Sequence, residues 1–206
     1  MKEIFDFVCV TLHSRSNDRG KSIIQLFKRL NLTDSIHWWI VEKHPSGGIY
    51  GCCESNVSIW NCSEFTKPFL CIFEDDLECL DESLFEEALQ YAIQNMPHNF
   101  NFFNLEPQLG FIKEKLSSFG RINGYLGEFL HTGCYIVHRS ILPQLTASIL
   151  PWYGMDLDVA LYKNCKMAGI FPPIFKQKAF ESDNTGSHRD LLPDALKRIN
   201  IGQKMI

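Results

Sequence analysis

Three adjacent carboxylates, Glu74, Asp75 and Asp76, close the apolar run Pro68-Phe69-Leu70-Cys71-Ile72-Phe73. Like charges this close repel one another unless a cation or hydrogen-bond donors answer them. A buried strand that delivers acids to its carboxyl end is also how α/β proteins place oxygen ligands for a divalent ion in the crevice above a sheet. The competing explanation is a strand that simply runs into a solvated acidic turn. Other groups along the chain favour the first explanation, and their placement depends on the elements that carry them.

The periodicity alternates short apolar runs with helical stretches, which is the pattern of an α/β fold. Phe5 to Leu12 reads as a strand. Gly20 to Leu30 reads as an amphipathic helix, with Ile23, Ile24, Phe27 and Leu30 on one face and Asp18 as its cap. Ile36 to Val41 is a second strand. A turn at Pro45 to Gly48 leads into a helix through Cys53, Val57 and Trp60, followed by the Phe69 to Phe73 strand. Asp81 caps a helix whose apolar face is Leu84, Phe85, Ala88, Leu89, Ala92 and Ile93, and Phe100 to Leu105 is the next strand. Residues 107–132 are polar and hold Gly110, Gly120, Gly124 and Gly127, so an irregular substrate-side loop is expected there. Gly133 to Val137 resumes a strand, and Ser140 caps a helix through Ile141, Leu142, Leu145 and Ile149. Met155 to Asn164 is a short helix, and Ile170 to Phe175 a last strand.

Composition bounds what such a chain does. Its 206 residues, 45% hydrophobic and 21% charged, suffice for one domain with a substantial core. Twenty basic residues against 24 acidic ones give a net charge of −4, which provides no general field for nucleic acid or an anionic membrane. No apolar run approaches the roughly 20 residues of a membrane helix, and no basic and apolar leader opens the chain. The expectation is therefore a soluble, cytoplasmic protein. Eight cysteines contain no Cys-x-x-Cys pair, so zinc is not expected and the thiols read as small reduced core residues. The sequons at Asn31, Asn56 and Asn61 are then unused.

Taken in order, several blocks resemble glycosyltransferase family 25, the lipopolysaccharide and collagen galactosyltransferase-like enzymes. Gly51-Cys52-Cys53-Glu54-Ser55, then Trp60, then Phe69 to Asp76 is similar to that family's Gly-Cys-x-x-Ser-His…Trp block followed by a strand ending in Glu-Asp-Asp. Val10 to Arg19 resembles its opening strand and arginine loop, and Gly133 to Val137 its Gly-x-Tyr strand. Met155-Asp156-Leu157-Asp158 resembles its later aspartate segment, and Gln177 to Asp183 its closing Gln…Ser-Asp. Two positions depart from the pattern. Asn56 stands where the family has histidine, and Leu12 or His13 where an asparagine closes its first strand.

The resemblance implies a GT-A fold, a Rossmann-like mixed, mostly parallel sheet flanked by helices. It would form a single domain over residues 1–206, with a nucleotide-binding half in 1–106 and an acceptor-side half in 107–206. It implies an inverting, metal-dependent transfer of a hexose, galactose or glucose, from a UDP-sugar to a hydroxyl of a glycan or glycoprotein, and commonly Mn2+ or Mg2+. On that reading Asp76 is the first direct metal ligand. Glu74 or Asp75 holds the ribose or metal-bound water, Asp75 serving as a second ligand, and His188 completes the shell. Thr11, Ser14, Arg15 and Arg19 face the nucleotide, Arg19 foremost because its planar fork matches phosphate or a uracil edge. Gly51 and Ser55 let backbone and hydroxyl approach sugar or phosphate, although Gly51 also suits a plain turn. Asp156, with Asp158 behind it, is the base that deprotonates the acceptor, and Glu106 binds a sugar hydroxyl. Trp152 and Tyr153 are placed to stack on an acceptor sugar, whereas Trp38, Trp39 and Trp60 read as core. A homodimer is the assembly considered. Two other functions use the same acids: a non-catalytic nucleotide-sugar or glycan-binding relic of the fold, and a metal-dependent phosphoesterase.

Overall fold

The computed structural model describes residues 1–107, 110–150, 157, 161 and 164–178. Strand β1 (Phe5–Leu12) and strand β2 (Ile36–Val41) fall on the runs expected from sequence. Between them lie a π-type turn (Ser16–Gly20) and helix α1 (Lys21–Arg29), which buries Ile23, Leu26 and Phe27 at helical spacing. Helix α2 (Gly48–Trp60) leads to β3 (Phe69–Glu74), short β4 (Leu77–Cys79), helix α3 (Phe85–Asn95) and β5 (Phe102–Asn104). Then come β6 (Gly110–Phe119), β7 (Ile122–Phe129), β8 (Cys134–His138), helix α4 (Leu142–Ile149), β9 (Met167–Phe171) and β10 (Phe175–Gln177).

Eight strands form one sheet in the order β2-β1-β3-β8-β5-β9-β7-β6, and β4 pairs with β10 in a separate ribbon. Strands β1, β2 and β3 run parallel, and β5 pairs in parallel with β9. Reversed β8 is wedged between β3 and β5, and reversed β7 between β9 and β6, so six of the eight strands point one way. This is the Rossmann-like, mixed and mostly parallel α/β sheet expected. Because both faces are covered, consecutive strand residues feed different cores. Phe7, Cys71 and Phe73 face α1 and α3 with Phe27, Phe85 and Leu89, whereas Val8, Leu70 and Ile72 face α2 and α4 with Trp60, Tyr135 and Leu145.

Five expectations need correction. Ser140 does not cap α4; it lies in the 3-10 turn that precedes the helix, where its N–H donates to His138 Nδ1 at 3.3 Å. Residues 110–129 form a β-hairpin rather than a loop. Its glycines serve close approach: a Cβ at Gly124 would lie 2.1 Å from the Tyr91 hydroxyl, and one at Gly127 would lie 2.3 Å from the Phe111 carbonyl oxygen. Gly120 turns the hairpin at φ +56. Arg121, beside it, bonds Glu87 at 2.8 Å and fastens the hairpin to α3. The run at 170–175 is not one strand, because Pro172 and Pro173 divide β9 from β10. Asp18 does not cap α1; its carboxylate accepts the Arg19 N–H at 2.7 Å, one turn earlier. Trp38, finally, is not core. It lies on the edge strand and is 39% exposed, while Trp60 is buried. The helix expected over 155–164 falls largely outside the described residues, although positions 157, 161 and 164 are helical. None of the eight cysteines forms a disulfide, and Cys9, Cys53, Cys71 and Cys134 are buried.

Candidate functional site at the carboxyl edge of the sheet

The central strand β3 carries Glu74 as its last residue, and Asp75 and Asp76 make the turn into β4. The neighbouring parallel strand β1 brings Thr11 alongside, and its hydroxyl donates to Asp75 Oδ2 at 2.5 Å. The π-type turn after β1 folds Arg19 back over the same point. Its Nη1 lies 3.4 Å from Asp75 Oδ1 and 3.5 Å from Asp76 Oδ2, with only 8% of the side chain exposed. Both oxygens of Asp75 are thus engaged by groups of this chain, and a buried guanidinium supplies the countercharge that the acidic run demands.

Glu74 is held differently. Gln177, on β10, donates to its Oε2 at 3.2 Å, and the Gly133 carbonyl accepts its backbone N–H at 2.7 Å. Burial, reinforced by Asp76 and Asp75 and opposed by Arg19 and Gln177, pushes the Glu74 carboxyl up to about 8. Asp75 is also raised, by burial, against the lowering influence of Thr11 and Arg19. One of the three acids therefore tends to keep its proton at neutral pH, which reduces their mutual repulsion.

Glu106, just past the end of β5, is fully buried. Asn104 fixes its approach by accepting the Glu106 N–H at 2.8 Å while donating to the His131 carbonyl at 2.5 Å. A Cβ on Gly133 would come within 2.1 Å of Glu106 Oε2 and 3.1 Å of Leu77 Cδ2, so the glycine is what seats this carboxylate. Gly133, just before β8, thus touches both acids, accepting the Glu74 N–H with its carbonyl and leaving room for Glu106 beside its Cα.

The other candidates lie further out. Arg15 pairs with Asp18 at 2.9 Å and Ser14 is exposed, both on the loop after β1. Gly51 sits in the first turn of α2, 3.1 Å from His44 Cβ if given a Cβ, and the Ser55 hydroxyl donates to the Gly51 carbonyl at 2.7 Å. Asn56 is buried. Its side chain donates to the Cys52 carbonyl at 2.9 Å and accepts from the Tyr135 hydroxyl, which in turn accepts from Trp60 Nε1 at 3.0 Å. Asp156, Asp158, His188, Trp152 and Tyr153 lie outside the described residues.

In the sequence Gln177 belongs to a resembling block and Gly133 to a block that also opens a strand, and neither carries a local signal of its contact with Glu74 or Glu106. Lys178, which donates its N–H to the Asp76 carbonyl at 2.6 Å and reaches the Ser22 hydroxyl, was missed altogether. Among the described residues no group of three His, Cys, Asp or Glu side chains is placed to hold a metal ion. A groove of about 280 Å3 beside Trp60, Cys62, Arg139 and Leu142 lies at the opposite edge of the sheet, where Arg139 donates to the Pro68 carbonyl at the entry to β3. It is remote from the acids.

No protein-family model matches the chain, and no curated protein matches it. Solved structures with a similar course of chain include the catalytic domain of Drosophila beta1,4galactosyltransferase 7, at a TM-score of 0.48 and 11% identity over 89% of this chain and 74% of that one. A CMP:2-keto-3-deoxy-manno-octonic acid synthetase follows at 0.45 and 13% identity over 96% and 97%. The mannose-1-phosphate geranyltransferase from Thermus thermophilus gives 0.47 and 12% identity over 82% of this chain, which spans 60% of that structure's length. At these identities the likeness concerns the path of the chain and not the residues of the site.

Proposed function

We propose that this protein is a glycosyltransferase of the family 25 type, moving a hexose from a UDP-sugar to a hydroxyl of a glycan or protein-linked acceptor with inversion. The supporting observation is the Glu74-Asp75-Asp76 terminus of the central parallel strand, braced by Thr11 and Arg19 at the edge of the sheet where α/β proteins bind their ligands. In this reading Asp75 is a positioning residue. Its bonds to Thr11 and Arg19 fix the turn, and Asp76, which shares the Arg19 guanidinium at 3.5 Å, is the acid proposed to meet a ligand.

The described residues do not form a protein-only metal cage. A hard ion held by one or two carboxylates together with substrate phosphates needs none, and Asp76 is the residue that would hold Mn2+ or Mg2+, with His188 as a further proposed ligand. Such an ion would neutralise the charge growing on a departing diphosphate. Arg19, Arg15, Ser14 and Thr11 are proposed to meet the nucleotide, and Gly51 and Ser55 of α2 to approach its sugar or phosphate. Glu106 would accept a hydrogen bond from a sugar hydroxyl, and Asp156 or Asp158 would take the acceptor's proton.

The test is a thermal-shift screen of UDP-, GDP-, CMP- and dTDP-sugars with and without Mn2+, followed by turnover assays on the wild type and Asp76→Asn. A shift specific to UDP-sugars and a loss of transfer in the folded variant are expected. If no nucleotide sugar shifts the melting temperature or turns over, the proposal fails. The ion pairs of Arg19 favour one second reading, a binding protein whose acids are neutralised internally. UDP binding without hydrolysis or transfer would select it.

A further inference from the structure

The two edges of the large sheet are built on opposite rules. Edge strand β6 carries Lys113, Glu114 and Lys115 in sequence, and its register against β7 is broken twice, after Ile112 and after Lys115. Charges and bulges are the devices that keep an edge strand from pairing with another chain. At the other edge β2 has none of them. Ile36-His37-Trp38-Trp39-Ile40-Val41 contains no proline, glycine, carboxylate, lysine or arginine, and pairs with β1 through six unbroken positions. Among the described residues no strand lies on its outer side. Ile40 is 60% exposed and Trp38 39% exposed, and alternation puts both on the face of α1, where Trp38 meets Phe27 edge-on at 5.7 Å. Ile24 of α1 adds a third exposed apolar side chain to that flank.

We propose that β2 is a homodimer seam, pairing antiparallel with β2 of a second copy about a two-fold axis and joining the two sheets into one. An outward row of N–H and C=O groups calls for another strand, and an uncharged one is needed to meet this uncharged segment without burying an unpaired charge. The segment meets that requirement itself. A two-fold axis perpendicular to the sheet at Trp38 keeps side chains on their own face, sets Trp38 against its symmetry mate and sets exposed Ile40 against half-buried Ile36. The pairing is thus self-complementary in backbone and in side chain. The inference does not depend on the proposed activity, because it concerns an edge two strands removed from the acidic turn.

Sedimentation velocity over a concentration series, with hydrogen exchange on the same samples, tests it. The full-length wild type is expected to form a dimer, and the amides of residues 37–40 to gain protection as concentration rises. Ile40→Lys puts a charge opposite an apolar side chain and is expected to weaken association about tenfold or more, with far-UV circular dichroism and melting of the monomer unchanged. A wild type that remains monomeric overturns the proposal, as does a dimer insensitive to Ile40→Lys. Protection of β2 that is independent of concentration also overturns it, since the chain itself would then cover the edge. Should Ile40→Lys fail to fold, the concentration dependence of exchange in the wild type decides alone.

Discussion

Replacing Arg19 by methionine keeps most of the apolar stem but removes the guanidinium from between Asp75 and Asp76, whose side chains are only 6% and 14% exposed. Removing one partner of a buried ion pair leaves the other as an uncompensated charge, so a loss of about 3 kcal/mol is expected in denaturant unfolding. An unchanged unfolding midpoint would show that the pair does not hold the turn. Glu74 gives a second residue-level prediction, with a defined sign. The folded protein holds its proton up to about 8, against an ordinary value of 4.5. The native state thus binds more protons than the unfolded chain between those values. The stability contributed by the neutral carboxyl is complete below about 4.5 and is lost as pH rises through about 8. Glu74→Gln carries no such proton, so with chelator present its melting temperature should gain on the wild type from pH 5 to about 8 and level off above that. A constant difference across that range contradicts the account.

Single contacts between elements carry much of the site's shape. Gly133→Ala forces a methyl to within 2.1 Å of Glu106 Oε2, and that carboxylate has little freedom because Asn104 fixes the backbone behind it. About 1–3 kcal/mol of destabilisation is expected, the usual cost of overpacking, measurable by thermal unfolding. Asn56→Leu is expected to cost a similar amount, about 1–3 kcal/mol, because it leaves the buried Tyr135 hydroxyl without its acceptor between α2 and β8. A neutral result would mean that Tyr135 turns to another acceptor. Element by element, local sequence was enough where a strand is a continuous apolar run bounded by turn residues, as for β1 and β2. It misled at β6 and β7. Glycines at 124 and 127 are there to admit Tyr91 and the Phe111 backbone, a packing need that cannot be told from loop punctuation without the partners.

At the scale of the molecule the strand order interlocks the two halves of the chain. Strand β8, from residues 134–138, lies between β3 and β5, and Gln177 closes on Glu74 across 103 positions of sequence. A fragment of residues 1–106 would leave β3 and β5 without the strand that joins them. Its circular dichroism and hydrogen exchange should therefore be those of an unfolded chain, and the intact protein should unfold in one transition. A folded, stable fragment would contradict this.

The residues by themselves determined that the chain is α/β and where most strands and helices lie. They also determined that three carboxylates meet at the end of a buried strand, because apolar periodicity and charge are properties of neighbours in sequence. Only the tertiary structure decided what answers those charges. Thr11 and Arg19 reach Asp75 from 64 and 56 residues away, a pairing created when β1 and β3 align in parallel. Such contacts depend on which strands become neighbours, and strand order is set by the packing of the whole sheet.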